Sequence, residues 1–151
     1  MLLDLIRLKC YLKCDPHSRR FIADAVAEVT DVDLVPWLVN LGAKHKWMTP
    51  AVVSALKVIY SPKAVSTLAA ALDAKEGIVQ YDAVMGISFQ NRGRTSAPAL
   101  DRFQKAPEDF IGKCKQWWAQ EKSKYPTQED VVKEWEKTKK EWQTEADKGK
   151  H

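Results

Sequence analysis

Three consecutive stretches of thirty residues carry one pattern, and a repeat of that length restricts the fold more than any other feature of the chain. The first, LLDLIRLKCYLKCDPHSRRFIADAVAEVTD, runs from Leu2 to Asp31. The second, VDLVPWLVNLGAKHKWMTPAVVSALKVIYS, runs from Val32 to Ser61, and the third, PKAVSTLAAALDAKEGIVQYDAVMGISFQN, from Pro62 to Asn91. Leu5, Val35 and Val65 align, as do Leu8, Leu38 and Leu68. In the second halves DAVAEV, SALKVI and DAVMGI correspond, with Ala25, Ala55 and Ala83 at one point. The last copy is shifted by two residues, as a shorter hairpin loop would shift it. A period of about thirty residues built from two helices marks a stacked helical array, in which each unit buries its apolar face against its neighbours.

Local chemistry predicts helices in each copy. Thr49-Pro50 and Ser61-Pro62 each set a hydroxyl N-cap before a proline at the first helical position, where the missing N–H would have had no partner. Asp15-Pro16 repeats the device, and Asp31 is the cap expected for the third helix. Ala51, Ala55, Val58 and Ile59 then follow the helical period, as do Val65, Leu68 and Leu72, and Val79, Ala83 and Ile87. Residues 2–59 are rich enough in Val, Ile and Leu for a sheet, but a spacing of three and four argues against strands.

The stretch SPKAVSTLAAALDAKEGIVQYDAVMGI resembles a HEAT repeat. It has a turn with proline and a basic residue, then Ala-Val-x-x-Leu, then Val-x-x-x-Ala-x-x-x-Ile. Pro36 matches the proline that often bends the first helix of such repeats. The resemblance covers about residues 2 to 90. Trp37 is bulky for its row, and NLGAKHKWM is longer and more polar than a usual hairpin. The resemblance implies an all-α, right-handed α-solenoid of about three HEAT-like hairpins over residues 1–91, working by binding and carrying no reaction.

QNRGRTSAP breaks the pattern, and residues 92–98 read as a loop. Residues 99–151 read as a helical C-terminal cap with a charged tail. A short helix from Ala99 to Phe103 precedes a helix in APEDFIGKCKQWWAQEKSKYP, with Pro107 in its first turn and Phe110, Ile111, Cys114 and Trp117 or Trp118 on one face. Adjacent helical residues point about 100° apart, so one of Trp117 and Trp118 is expected against the last repeat and the other nearer the surface or the final helix. Thr127 and Asp130 form a capping box for that final helix, with Val131, Trp135, Thr138 and Trp142 as its apolar stripe. A free-standing array needs such an end piece over its last apolar face.

Several function classes lose ground on composition. The net charge of +4 is mild, and both signs are interspersed, so nucleic acid is not the expected partner. No apolar run reaches the ~18 residues of a membrane helix, and charges interrupt MLLDLIRLKCYLKC too often for a secretory signal. That segment reads as an amphipathic helix. Cys10, Cys14 and Cys114 are too few and too odd in number for a disulfide framework, which fits a reducing, cytoplasmic setting. Cys10, Cys14 and His17 lack an obvious fourth zinc ligand, so no metal and no cofactor are expected. No catalytic constellation is visible, and tryptophans at helical spacing read as packing rather than as base-stacking platforms. Arg92 and Arg94 could hold an anion, though a solvated loop is the simpler reading.

The reading that remains is a non-catalytic binding module or scaffold for a protein or peptide. Its candidate contact residues, on the concave side and loops, are Arg20, Asp24, Trp47, Gln80, Asp82 and Arg92. The alternatives are a HEAT-like enzyme of DNA-base glycosylase or bilin lyase type, and an end fragment of a larger helical array. Leu2, Leu3, Leu5, Ile6, Leu8 and Leu12 exceed what one stacking face requires, so that end is expected to be covered by a second copy, a partner or a further segment.

Overall fold

Short polar side chains and prolines decide where the helices begin. The computed structural model describes residues 16–91 and 97–149, and all regular structure among them is helical. Helix α1 is Pro16–Ala27. The Asp31 carboxylate then accepts the N–H of Asp33 at 2.9 Å and starts a 3-10 turn, Val32–Leu34, before α2, Val35–Lys44. Another 3-10 turn, Lys46–Met48, leads into α3, Thr49–Leu56. The Ser61 hydroxyl accepts the N–H of Lys63 at 3.3 Å, opening the 3-10 turn Pro62–Ala64 ahead of α4, Val65–Ala71. Helix α5 is Gly77–Asn91, α6 Leu100–Lys105 and α7 Pro107–Glu121. After the turn Lys122–Lys124, α8 runs over Gln128–Lys148.

Three expectations are corrected here. Asp31 and Ser61 cap 3-10 turns, so the α-helices start three residues later, at Val35 and Val65, in the same thirty-residue register. Pro36 therefore lies in the first turn of α2, where it removes no helical hydrogen bond and makes no mid-helix bend. Thr49 is not a cap: it belongs to α3, which Met48 precedes without a side-chain bond. Thr127 does form the capping box with Asp130, each side chain accepting from the other's backbone N–H. The expected cap at Asp15, the segment Leu2–Cys14 and residues 92–96 lie outside the described residues.

Helices α1, α3 and α5 lie in one row, α1 against α3 and α3 against α5. Helix α2 packs on α3, and α4 packs on both α3 and α5. Four sets of equivalent positions share one environment among the described residues. Val35 and Val65 are buried, as are Leu38 and Leu68; so are Val26, Leu56 and Val84, and Val29, Ile59 and Ile87. The aligned alanines divide, with Ala55 and Ala83 buried and Ala25 exposed.

The seam between α5 and the turn after α3 is closely packed. Asp82, Gly86 and Gln90, four residues apart, share one face of α5. The Asp82 carboxylate takes the Lys57 ammonium at 2.9 Å. The Gln90 side chain donates to the Ile59 carbonyl at 2.6 Å and accepts the Ser61 N–H at 3.1 Å, so one buried amide satisfies two groups of the turn. A Cβ on Gly86 would lie 2.8 Å from both Leu68 methyls and 3.0 Å from the Lys57 Cα.

The C-terminal helices do two jobs. Helix α7 lies on α5 and α4 and buries Ile111 and Cys114. Trp117 and Trp118 do not split into a buried and an exposed partner. Both are half-buried, because the turn brings Tyr125 back between them, its ring 5.9 Å from Trp117 and 6.0 Å from Trp118. Helix α8 leaves that end and runs back to α2, its main neighbour, burying Val131 and Trp135. Gln128 donates to the Thr67 hydroxyl on α4, Glu134 pairs with Lys63 and Glu136 with Lys44. Held between α3 and α8, α2 buries Val35, Pro36, Trp37, Leu38, Val39, Leu41 and Gly42, covering its whole circumference.

Gly86→Ala is expected to destabilise the fold. Overpacking costs about 1–3 kcal/mol, against a gain in helix propensity of at most about 1 kcal/mol. A lower urea midpoint with unchanged helical ellipticity is the outcome to measure. Burial pushes the Cys114 thiol up from its ordinary value to about 11. The folded state holds that proton longer than the unfolded chain, so this group's contribution is present below pH 9.0 and lost as the pH rises toward about 11. Urea midpoints for the native chain and Cys114→Ala across that window should converge as the pH rises.

Candidate partner-binding face

Helix α3 stops at Leu56, and tight backbone bonds coil the next residues: Lys57 N–H to Val53, Val58 N–H to Ala55 and Ile59 N–H to Leu56. This ending changes where the side chains point. Val58, expected on the buried stripe of a longer helix, is 57% exposed, whereas Ile59 is 4% exposed. Tyr60 is exposed as well. On α5, Met85 and Phe89 stand one turn apart on the side facing these residues, Met85 half-buried and Phe89 exposed. The Tyr60 and Phe89 rings meet edge to face at 6.0 Å. An apolar groove lies here, lined by Lys57, Val58, Met85, Ser88, Phe89 and Ala97.

The groove is rigid on one wall and polar at one rim. Gln90 fixes the turn that carries Val58 and Tyr60, and Ser88 donates its hydroxyl to the Val84 carbonyl within α5. The Lys57–Asp82 pair stands at the edge, with Lys57 30% and Asp82 10% exposed in their side chains. Such a surface suits apolar contact with a polar border.

The residues expected to contact a partner fall into three places. Arg20 and Asp24 are exposed, one turn apart on α1. Trp47 is half-buried in the turn before α3, and the Arg19 guanidinium lies 5.2 Å from its ring centroid. Gln80 and Asp82 bind within the fold: Gln80 donates to the Leu72 carbonyl at 3.2 Å, and Asp82 holds Lys57. Arg92 and Arg94 lie outside the described residues, as do Cys10 and Cys14. His17 stands edge to face with Phe21 at 5.9 Å. Val58, Tyr60, Met85 and Phe89 were not foreseen as a surface. The early end of α3, which exposes Val58, has no Gly or Pro to announce it.

Among the described residues no three His, Cys, Asp or Glu side chains cluster in a way that could hold a metal ion. No described helix is long and apolar enough to cross a membrane. No protein-family model, curated protein or solved structure matches the chain.

The two aspartates should separate on substitution. Asp82→Ala removes a part-buried charge-assisted hydrogen bond and is expected to cost about 1–3 kcal/mol. Asp24→Ala, on an exposed face, should stay within about 0.5 kcal/mol. Equilibrium urea denaturation of both variants checks the difference.

Proposed function

We propose that the chain is a right-handed α-solenoid of HEAT-like hairpins that binds a protein or peptide through the row formed by α1, α3 and α5. The observation carrying this reading is the apolar cluster of exposed Val58, Tyr60 and Phe89 with half-buried Met85, set where α3 and α5 adjoin. Several large apolar side chains held in one place in contact with water are costly to keep unless something covers them. The repeated burial at equivalent positions, and the packing of α3 between α1 and α5, support the stacked arrangement. Arg20, Asp24 and Trp47 belong to the same row or its loops and would contribute polar and aromatic contacts beyond the groove. Arg92 follows α5 directly in sequence and would add a charge at its end. Gln80 and Asp82 would act indirectly, by holding the helices that present the groove. The buried free thiol of Cys114 fits the reducing cytoplasm.

The test compares binding by the native chain with the double variant Val58→Glu/Phe89→Glu. A partner held by the native chain should lose at least tenfold in affinity, about 1.4 kcal/mol, while the thermal midpoint stays within a few degrees. Ile78→Glu, an exposed apolar site at the start of α5, is the matched control and should bind as the native chain does. Equal affinity for all three proteins would remove the groove from the binding surface.

A further inference from the structure

The walls of the groove are almost free of charge. Residues 49–61, which make α3 and the turn after it, carry one charged residue, Lys57, and α5 carries one, Asp82. Residues 97–100, tied to α5 by the Tyr81 hydroxyl donating to the Pro98 carbonyl at 2.9 Å, carry none. Helix α8 has charge on 12 of its 21 residues, so the bare face belongs to these walls and not to the chain as a whole. The two charges the walls do hold are spent on each other, the Lys57 ammonium donating to the Asp82 carboxylate at 2.9 Å.

This arrangement decides what the groove can hold. Tyr60 and Phe89 are 48% and 45% exposed; with Val58 they offer on the order of 300 Å² of apolar surface, against the roughly 800 Å² per partner of a stable protein interface. That area is too small for a second folded copy and suits a short stretch of chain with one or two large apolar side chains. A charged side chain brought here would leave water for a wall of Val58, Met85 and Phe89. Its counter-ion at the rim is already taken: Asp82 holds the ammonium an acid would need, and Lys57 holds the carboxylate a base would need. The pair itself is compensated and hydrogen-bonded, so covering it costs less than covering either ion alone.

We propose that the groove takes a short, uncharged apolar stretch of a protein or peptide partner, and that the Lys57–Asp82 pair sets this selectivity by withholding both charges, an inference that rests on the groove being the binding surface. Removing one member of the pair then creates a new preference. Asp82→Asn frees an ammonium for Asp or Glu in the partner, and Lys57→Met frees a carboxylate for Lys or Arg.

A library of short randomised peptides displayed on phage tests this, with Val58→Glu/Phe89→Glu as the counter-selection for the groove. Peptides that the native chain retains and the double variant loses should share large apolar residues with no charge among them. Asp82→Asn should enrich Asp and Glu beside the same apolar residues, and Lys57→Met should enrich Lys and Arg. Glu or Lys placed next to the apolar anchor of a native-selected peptide should each weaken its binding to the native chain by roughly tenfold, a measurement that does not depend on how either variant folds. A fixed acid or base in the groove-dependent peptides of the native chain would overturn the proposal and leave the groove as a binding surface. So would variants of native thermal midpoint that enrich the same peptides as the native chain. Peptides retained equally by the double variant, or no enrichment on the native chain, would overturn the groove as a binding surface and this selectivity with it.

Discussion

The approach of α5 to the turn after α3 sets the spacing of everything around it. A glycine lets the two backbones come closer than any side chain would permit, and the residues one turn before and after it close the seam by polar bonds. The bonds and the close contact depend on each other. With a larger residue at Gly86, Asp82 and Gln90 would be carried away from Lys57, Ile59 and Ser61; without those bonds, buried backbone groups of the turn would lack partners. Leu68 reaches the same point from α4, so the seam also fixes how the third hairpin closes.

A groove with defined walls follows from that rigidity. Val58 and Tyr60 lie outward because Ile59 between them is drawn inward and its carbonyl is held by Gln90. Phe89 precedes Gln90 in α5, so the residue that anchors the turn and the residue that faces it are neighbours. The surface proposed for binding is the outer side of that glycine-and-amide seam.

The helical register was legible because apolar periodicity reports directly which side of a segment is buried. Leu38 and Leu68, Val35 and Val65, and Ile59 and Ile87 all behave as the alignment implies. The 3-10 starts were not legible, since Asp and Ser cap either kind of turn. The role of Gly86 was hidden because it depends on residues 18 and 29 positions away in sequence, and Gln90 likewise binds a turn thirty residues earlier. The stripe Val131, Trp135, Trp142 announced that α8 buries one face, but no stripe names the surface it meets. Of the candidate site, the polar residues were picked by type, and two of them, Gln80 and Asp82, turned out to serve the fold. Exposed apolar residues at a helix end leave no local trace, so the groove needed the three-dimensional arrangement.

Helix α8 also alters how such a chain comes apart. Units that touch only their neighbours can fray one at a time from either end. Here the last helix is laid over α2 and bonded to α4, so loosening the second hairpin strips α8 as well, and loosening α8 opens the third. Melting becomes a joint event for segments about a hundred residues apart, closer to a globular domain than to an open row. The same geometry imposes an order on biosynthesis. Until residues 128–138 have left the ribosome, the side of α2 that α8 covers lacks that cover and waits in water or in the grip of a chaperone.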